Sequence, residues 1–382
     1  MNSKERVALA LRHQEPDHVP FDLGGTGLTT LHFTAYRNLR QRLGLPPVKP
    51  RVAAMAEQLA MVDDDVAERL QADVSPVKPD PASGFQFSFH DEGGYEAYFD
   101  EWGIGWRKPK DGGFYYDMYR HPLAGVESLV GMEAVRFPDP LDDQRFATLR
   151  AQAEAAAAAG KAVALWGPCA GVLEVYSWMR GYEPFYVDLA VHQDLVAAML
   201  DRMVEWKCAF WERALGEIGH LVDVVVEADD MAGQERLLFS PVTYRCLVKP
   251  RHKRLFEFIK AQAPVKLFFH SCGASRPLIP DLIEVGVDIL NPVQIAAAGM
   301  DPVALKRDFG RDLVFWGGGV DTQQVLGTGT PAQVRDDVRR NIEALAPGGG
   351  FVFAAVHDIQ ANVPAENIMA LWDAWHEYGS YS

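Results

Sequence analysis

The sequence predicts an α/β protein built as a (β/α)8 TIM barrel. Two observations carry this expectation. Apolar, β-rich runs alternate with helical patterns from one end of the chain to the other, the signature of βαβ units and a parallel sheet. These runs number eight, at residues 19–25, 72–77, 162–167, 222–228, 266–271, 288–293, 313–318 and 351–356, the count that closes a barrel. The run at 72–77 is the weakest, because Pro76 cannot donate to a sheet ladder.

Helix starts follow the later runs. Ser240-Pro241, Asp301-Pro302 and Thr330-Pro331 each place a capping side chain before a proline at the first helical position. Residues 151–160 are alanine-rich and read as a strong helix former. Between the second and third runs, residues 85–106 break the rhythm: Phe85, Phe87 and Phe89 alternate, Gly93 and Gly94 are paired, and Tyr95 to Trp106 follow. This stretch reads as a β-hairpin region inserted at the barrel mouth, as a lid over substrate or as a decorative or dimer-forming element. With 382 residues, 48% hydrophobic and 23% charged, the chain can bury a barrel core as a single domain over residues 1–382.

Composition excludes several partners. A formal net charge of -15 leaves no broad basic field for nucleic acid or an anionic membrane surface. No stretch is long and apolar enough to span a bilayer, and the first residues mix charges into their apolar positions instead of forming a secretory core. The four cysteines, at 169, 208, 246 and 272, make no disulfide framework in so long a chain. Reduced thiols and a cytoplasmic protein are the expectation. Cys208 and Cys246 fall in helical segments and read as packing, whereas Cys169 ends a strand.

The run Phe268-Phe269-His270-Ser271-Cys272-Gly273 carries the most chemistry. On an extended backbone, residues i and i+2 project to one side, so an imidazole and a thiol face the same space while Gly273 lets the chain turn away. Zinc accepts both donors. The same pair would also suit a buried histidine bonded to backbone beside an inert thiol. Barrel active sites lie at the carboxyl ends of strands. Applied to the eight runs, that rule collects Asp22, Cys169, Glu227, Asp229, Asp230, His270, Cys272, Gln294, Asp321 and His357.

Several stretches together resemble the uroporphyrinogen decarboxylase superfamily, and within it the corrinoid-dependent, zinc-using methyltransferases. They are residues 11–20 (Leu-Arg-His-Gln-Glu-Pro-Asp-His-Val-Pro), 180–185, 227–234, 270–273, 286–294 and 363–368. The resemblance implies a (β/α)8 barrel that moves a methyl group between a small O-, N- or S-methylated substrate and a corrinoid. It implies zinc held by His270, Cys272 and the residue a few positions before Pro364, which is His357 where the methyltransferases carry a thiolate. Histidine there leaves more positive charge on the metal than a thiolate would. An open fourth position would bind the atom bearing the methyl group and make it a better leaving group. Glu227 or Asp230 would act in catalysis as proton donor or further ligand, while Asp22, Asp229, Gln234 and Gln294 would bind substrate. The corrinoid would come from a partner protein, since the chain lacks an Asp-x-His-x-x-Gly cobalt-ligating pattern. A homodimer would fit the resemblance.

Two other readings stay open. Histidine at position 357 also suits the superfamily's decarboxylases, but residues 22–32 contain no arginine to grip a polycarboxylate. A non-catalytic binding barrel shares the fold without the chemistry.

Overall fold

The computed structural model describes residues 1–381. Seven parallel strands form one curled sheet in the spatial order Phe351–Val352, Val314–Trp316, Ile289–Asn291, Lys266–His270, Val224–Ala228, Ala162–Trp166 and Val74–Val77. The two edges meet through residues 20–22. Asp22 N–H donates to the Phe353 carbonyl and Phe353 N–H to that of Pro20, both at 2.8 Å, while Asp73 N–H donates to Phe21 at 2.8 Å. The eighth expected strand, 19–25, is therefore a short closing segment, and Phe21 makes a parallel bridge with Phe353. Pro76 is tolerated because Val74–Val77 is an edge of the regular sheet, paired only with Ala162–Trp166.

Strand residues divide by period two. Val224, Val226, Phe268, Val314 and Trp316 pack together inside the barrel, whereas Val225, Leu267, Phe269 and Phe315 join the outer core beneath the helices. Both faces are covered, so the strands read as continuous apolar runs without polar alternation. The outer layer includes Val172–Arg180, Gln193–Ile218, Lys249–Gln262, Pro331–Leu345 and Ala365–Tyr378. Ser240, Asp301 and Thr330 each cap a helix through the side chain, and Thr330 does so in a capping box with Gln333.

Between Val74–Val77 and Ala162–Trp166 lies a four-stranded antiparallel sheet, His90–Glu92, Tyr95–Phe99, Gly105–Pro109 and Asp117–Arg120. Its bounds differ from residues 85–106, since 85–89 form no strand and the last strand reaches Arg120. Among the described residues, no helix is long and apolar enough to cross a membrane.

Candidate active site

His270 ends its strand on the interior face, two residues after the inward Phe268, and is 4% exposed. The chain then turns. Gly273 has φ +84°, and a Cβ there would lie 2.4 Å from the Gly233 carbonyl oxygen, so the turn that presents Cys272 requires glycine. Gln294 Oε1 accepts the Gly273 N–H at 2.5 Å, and Asp230 Oδ1 accepts the Cys272 N–H at 2.8 Å.

The structure brings His270, Cys272 and His357 together, with one ligand atom from each lying within 4.8 Å of the others. Cys272 Sγ is 3.3 Å from His270 Nε2, and the two imidazole centroids are 5.2 Å apart in an edge arrangement. Hydrogen bonds assign the His270 tautomer. Asn291 donates its Nδ2 to the Trp316 carbonyl at 2.8 Å, which turns its Oδ1 toward His270 Nδ1 at 2.6 Å. The ring proton therefore sits on Nδ1, and Nε2 faces the thiol with its lone pair. His357 Nδ1 accepts the Asp358 N–H at 2.8 Å and lies 3.4 Å from Asp358 Oδ2. A proton moved to Nδ1 would face that carboxylate and free Nε2.

Electrostatics match a ligand set awaiting a cation. Burial lowers the pKa of His270, and burial plus its neighbour pushes His357 down to about 3, so both rings are neutral near pH 7. Burial, then the carboxylates of Asp230 and Glu174, raise the Cys272 thiol well above its ordinary value. A bound divalent ion inverts that last effect, because a coordinating thiol gives up its proton. Two nitrogens and one sulfur are donor types that fit zinc, and Cys272 Sγ and His270 Nε2, 3.3 Å apart, stand at a separation that two ligands of one ion can have.

A cavity of about 1040 Å³ opens at the strands' carboxyl ends, bordered by His270, His357, Asp358, Asp230, Glu174 and Glu57. Its walls are aromatic. Phe85, Phe87, Tyr98, Trp102 and Trp106 come from the segment between Val74–Val77 and Ala162–Trp166, and Trp166 and Trp178 from the barrel. Trp106 is fixed by donating to Asp100 at 2.8 Å, and Trp166 by donating to the Gly25 carbonyl at 2.8 Å.

Four expected site residues are held by other partners, and a fifth lies outside the cavity lining. Asp22 is 1% exposed and accepts from Gly25 N–H, Thr29 Oγ1 and Trp316 Nε1, each at 2.8 Å, so it anchors a turn instead of meeting substrate. Asp229 Oδ1 accepts the Leu173 and Glu174 N–H groups at 2.9 and 2.7 Å, and Oδ2 lies 2.7 Å from His252 Nε2. It caps the helix Val172–Arg180 from beneath, and Gly171 is needed for that approach, since a Cβ would lie 2.1 Å from Asp229 Oδ1. Glu227 borders the cavity but is committed: Lys207 Nζ and Trp211 Nε1 each donate to it at 2.7 Å. Burial pushes its carboxyl up and the adjacent ammonium opposes that. Gln294 holds the Gly273 turn and is buried, and Gln234 is exposed outside the cavity lining. Of the expected acids, Glu227 and Asp230 border the cavity, and Asp230 Oδ1 lies 3.8 Å from His270 Nε2.

Four residues near the site were not anticipated. Asn291 lies in the stretch 286–294 and Asp358 follows His357, yet neither was among the expected site residues. Glu174 sits in the first turn of a helix, where an acid ordinarily reads as dipole compensation. Glu57 lies between two short strands, Val52–Ala54 and Leu59–Ala60, outside the barrel repeat, and has no sequence signal.

Comparison with known proteins agrees with this fold. The chain belongs to the uroporphyrinogen decarboxylase (URO-D) family, whose model matches residues 121–378. Among solved structures, it is similar to a methyltransferase from Methanosarcina mazei at TM-score 0.67 and 18% identity, covering 99% of each chain. A far weaker likeness is to native xylanase 10B from Thermotoga maritima, at TM-score 0.37 and 11% identity over 61% of this chain and 80% of that one. No curated protein matches the sequence.

Proposed function

We propose that this protein is a methyltransferase that uses zinc and moves a methyl group from a small O-, N- or S-methylated compound to a corrinoid presented by a partner protein. The observation that carries the reading is the meeting of His270, Cys272 and His357 donor atoms within 4.8 Å, beside a cavity of about 1040 Å³ that His270 and His357 border. The likeness to the Methanosarcina mazei methyltransferase agrees with it.

His270 and His357 would hold the ion through neutral imidazoles and Cys272 through its thiolate. When bound, zinc supplies Lewis acidity toward the heteroatom that carries the methyl group. Asn291 keeps His270 in the ligating tautomer, and a proton shifted to His357 Nδ1 would face Asp358 and leave Nε2 to the ion. The aromatic walls exclude water and orient an apolar methyl-bearing body. The cavity mouth is the face at which a corrinoid protein would dock.

A polycarboxylate decarboxylase fits less well. Arg145 is paired with Glu101 at 2.6 Å and Arg51 with Asp63 at 3.2 Å, so both cavity-lining guanidiniums are already committed to carboxylates.

The test is zinc analysis of the protein followed by a screen of methyl ethers, methylamines and methyl thioethers with cob(I)alamin. A stoichiometric ion and methylcobalamin formation from one class are expected. Zinc-loaded protein that methylates no corrinoid from any class overturns the reading.

A further inference from the structure

We propose that Lys78 anchors a carboxylate of the substrate, and that the substrate is a flat, apolar monocarboxylic acid bearing the methylated heteroatom at its other end. The substrate class rests on the methyl-transfer reading and deepens it, whereas the anion subsite stands on the geometry of the cavity.

Lys78 directly follows the strand Val74–Val77 and borders the cavity. Val74 belongs to the inner packing, so the period-two alternation carries Lys78 to the interior as well. The ammonium is held in place. Nζ donates to the Val52 and Ala53 carbonyls at 3.1 and 2.6 Å and lies 5.9 Å from the centre of the Trp166 ring. Gln152 clamps the backbone at the same residue: its Oε1 accepts the Lys78 N–H and its Nε2 donates to the Lys78 carbonyl, both at 3.0 Å.

An ammonium has three hydrogens, and the two carbonyls take two of them. Among the described residues, no carboxylate pairs with this one. Asp80 acts on it from further off and is engaged by Thr148 Oγ1 at 2.7 Å. The other cations of the cavity lining have partners, Arg51 in Asp63 at 3.2 Å and Arg145 in Glu101 at 2.6 Å. A fixed, largely desolvated ammonium with a hydrogen to spare favours an incoming anion, since a charge-assisted bond offsets part of its burial cost.

Carboxylates beside the metal ligands set the direction of binding. Asp230 Oδ1 lies 3.8 Å from His270 Nε2, and Asp358 Oδ2 lies 3.4 Å from His357 Nδ1. The strand that leads to Lys78 is three places along the sheet from the strand that ends in His270. An anionic end is therefore repelled at the ligand side and attracted at Lys78, which leaves the heteroatom end to His270, Cys272 and His357. Trp102, Trp106, Trp166 and Trp178 line the cavity and suit a flat apolar body. One ammonium matches one carboxylate, and a polycarboxylate would find no second free cation.

The experiment measures binding first, with zinc-free protein at pH 7, by the change in tryptophan fluorescence. The ligands are 2-, 3- and 4-methoxybenzoate and the corresponding methoxybenzamides, which keep the shape and lose the charge. Wild type should bind at least one acid about 10-fold or more tighter than its amide. Lys78→Met, and Lys78→Gln, which retains a donor for the two carbonyls, should lose that preference and bind the amide as wild type does. No binding of any acid, no preference for acid over amide in wild type, or an equal loss of acid and amide binding in the variants overturns the anchor. With zinc and cob(I)alamin added, wild type should demethylate the preferred acid at a lower KM than its amide. A wild type that keeps the binding preference yet forms no methylcobalamin from any ether, amine or thioether overturns the methyl-transfer reading, and the substrate class with it, while the anion subsite stands.

Discussion

Asn291 Oδ1 lies 2.6 Å from His270 Nδ1, held in that orientation by the bond from its own Nδ2 to the Trp316 carbonyl. The amide can only accept at that oxygen, so it selects one tautomer of the imidazole and aims Nε2 at the site. Asn291→Leu removes the selection without charging the interior. Zinc affinity should fall by about 10–100-fold in competition titrations with a chelating dye, the range for lost partners of ligating histidines. Asn291→Asp, which keeps the acceptor, should lose less.

Gly273 is required for a different reason. Its φ of +84° and the carbonyl oxygens of Ala232 and Gly233 within 2.5 Å of a hypothetical Cβ leave no room for a side chain. Gly273→Ala should cost more than about 1 kcal/mol in urea unfolding. It should also lower zinc affinity, because the turn that presents Cys272 must shift.

The buried pair Lys207–Glu227 offers a stability test of a residue first read as catalytic. Their side chains are 0% and 2% exposed at 2.7 Å separation. Lys207→Met leaves Glu227 without its counter-charge and should destabilise by about 3–5 kcal/mol in denaturant unfolding. Lys207→Met with Glu227→Gln should recover part of that loss, since the uncompensated charge is gone. Zinc stoichiometry should be unchanged in both.

Lys78 supplies a pH dependence. It borders the cavity, donates to the Val52 and Ala53 carbonyls at 3.1 and 2.6 Å, and burial pushes its pKa down to about 8. A lysine in the unfolded chain titrates near its ordinary value of about 10.4. Between those limits the unfolded chain holds more protons, so this residue makes the unfolding free energy rise with pH from about 8 to about 10.4, its penalty being full below pH 8. Urea titrations of wild type and Lys78→Met across that window should differ in slope with that sign. An equal slope in both proteins would mean Lys78 is not perturbed.

Sequence periodicity resolved the barrel because both faces of its strands are covered. The alternating contributions of Phe268 and Phe269 to inner and outer cores need an unbroken apolar run, and such runs are visible without coordinates. The closing segment at residues 20–22 was overextended to 19–25, since its pairing depends on both sheet edges and leaves little local pattern. At the site, His270 and Cys272 were legible from their i, i+2 spacing, and His357 through the family resemblance that places a ligand a few residues before Pro364. The surrounding acids were harder to sort. Asp22, Glu227 and Asp229 share strand-end positions with Asp230, but whether a strand-end carboxylate meets substrate depends on partners remote in sequence. Trp316 for Asp22, Lys207 for Glu227 and His252 for Asp229 are such partners, and none has a local signature.

Zinc K-edge X-ray absorption of the purified, zinc-loaded protein addresses the shared metal centre most directly. One sulfur at about 2.3 Å and two imidazole nitrogens at about 2.0–2.1 Å are expected, with the sulfur lost in Cys272→Ser and one imidazole lost in His357→Ala. A protein that retains no zinc after dialysis, or a zinc shell containing no sulfur, would contradict a single ion held by His270, Cys272 and His357.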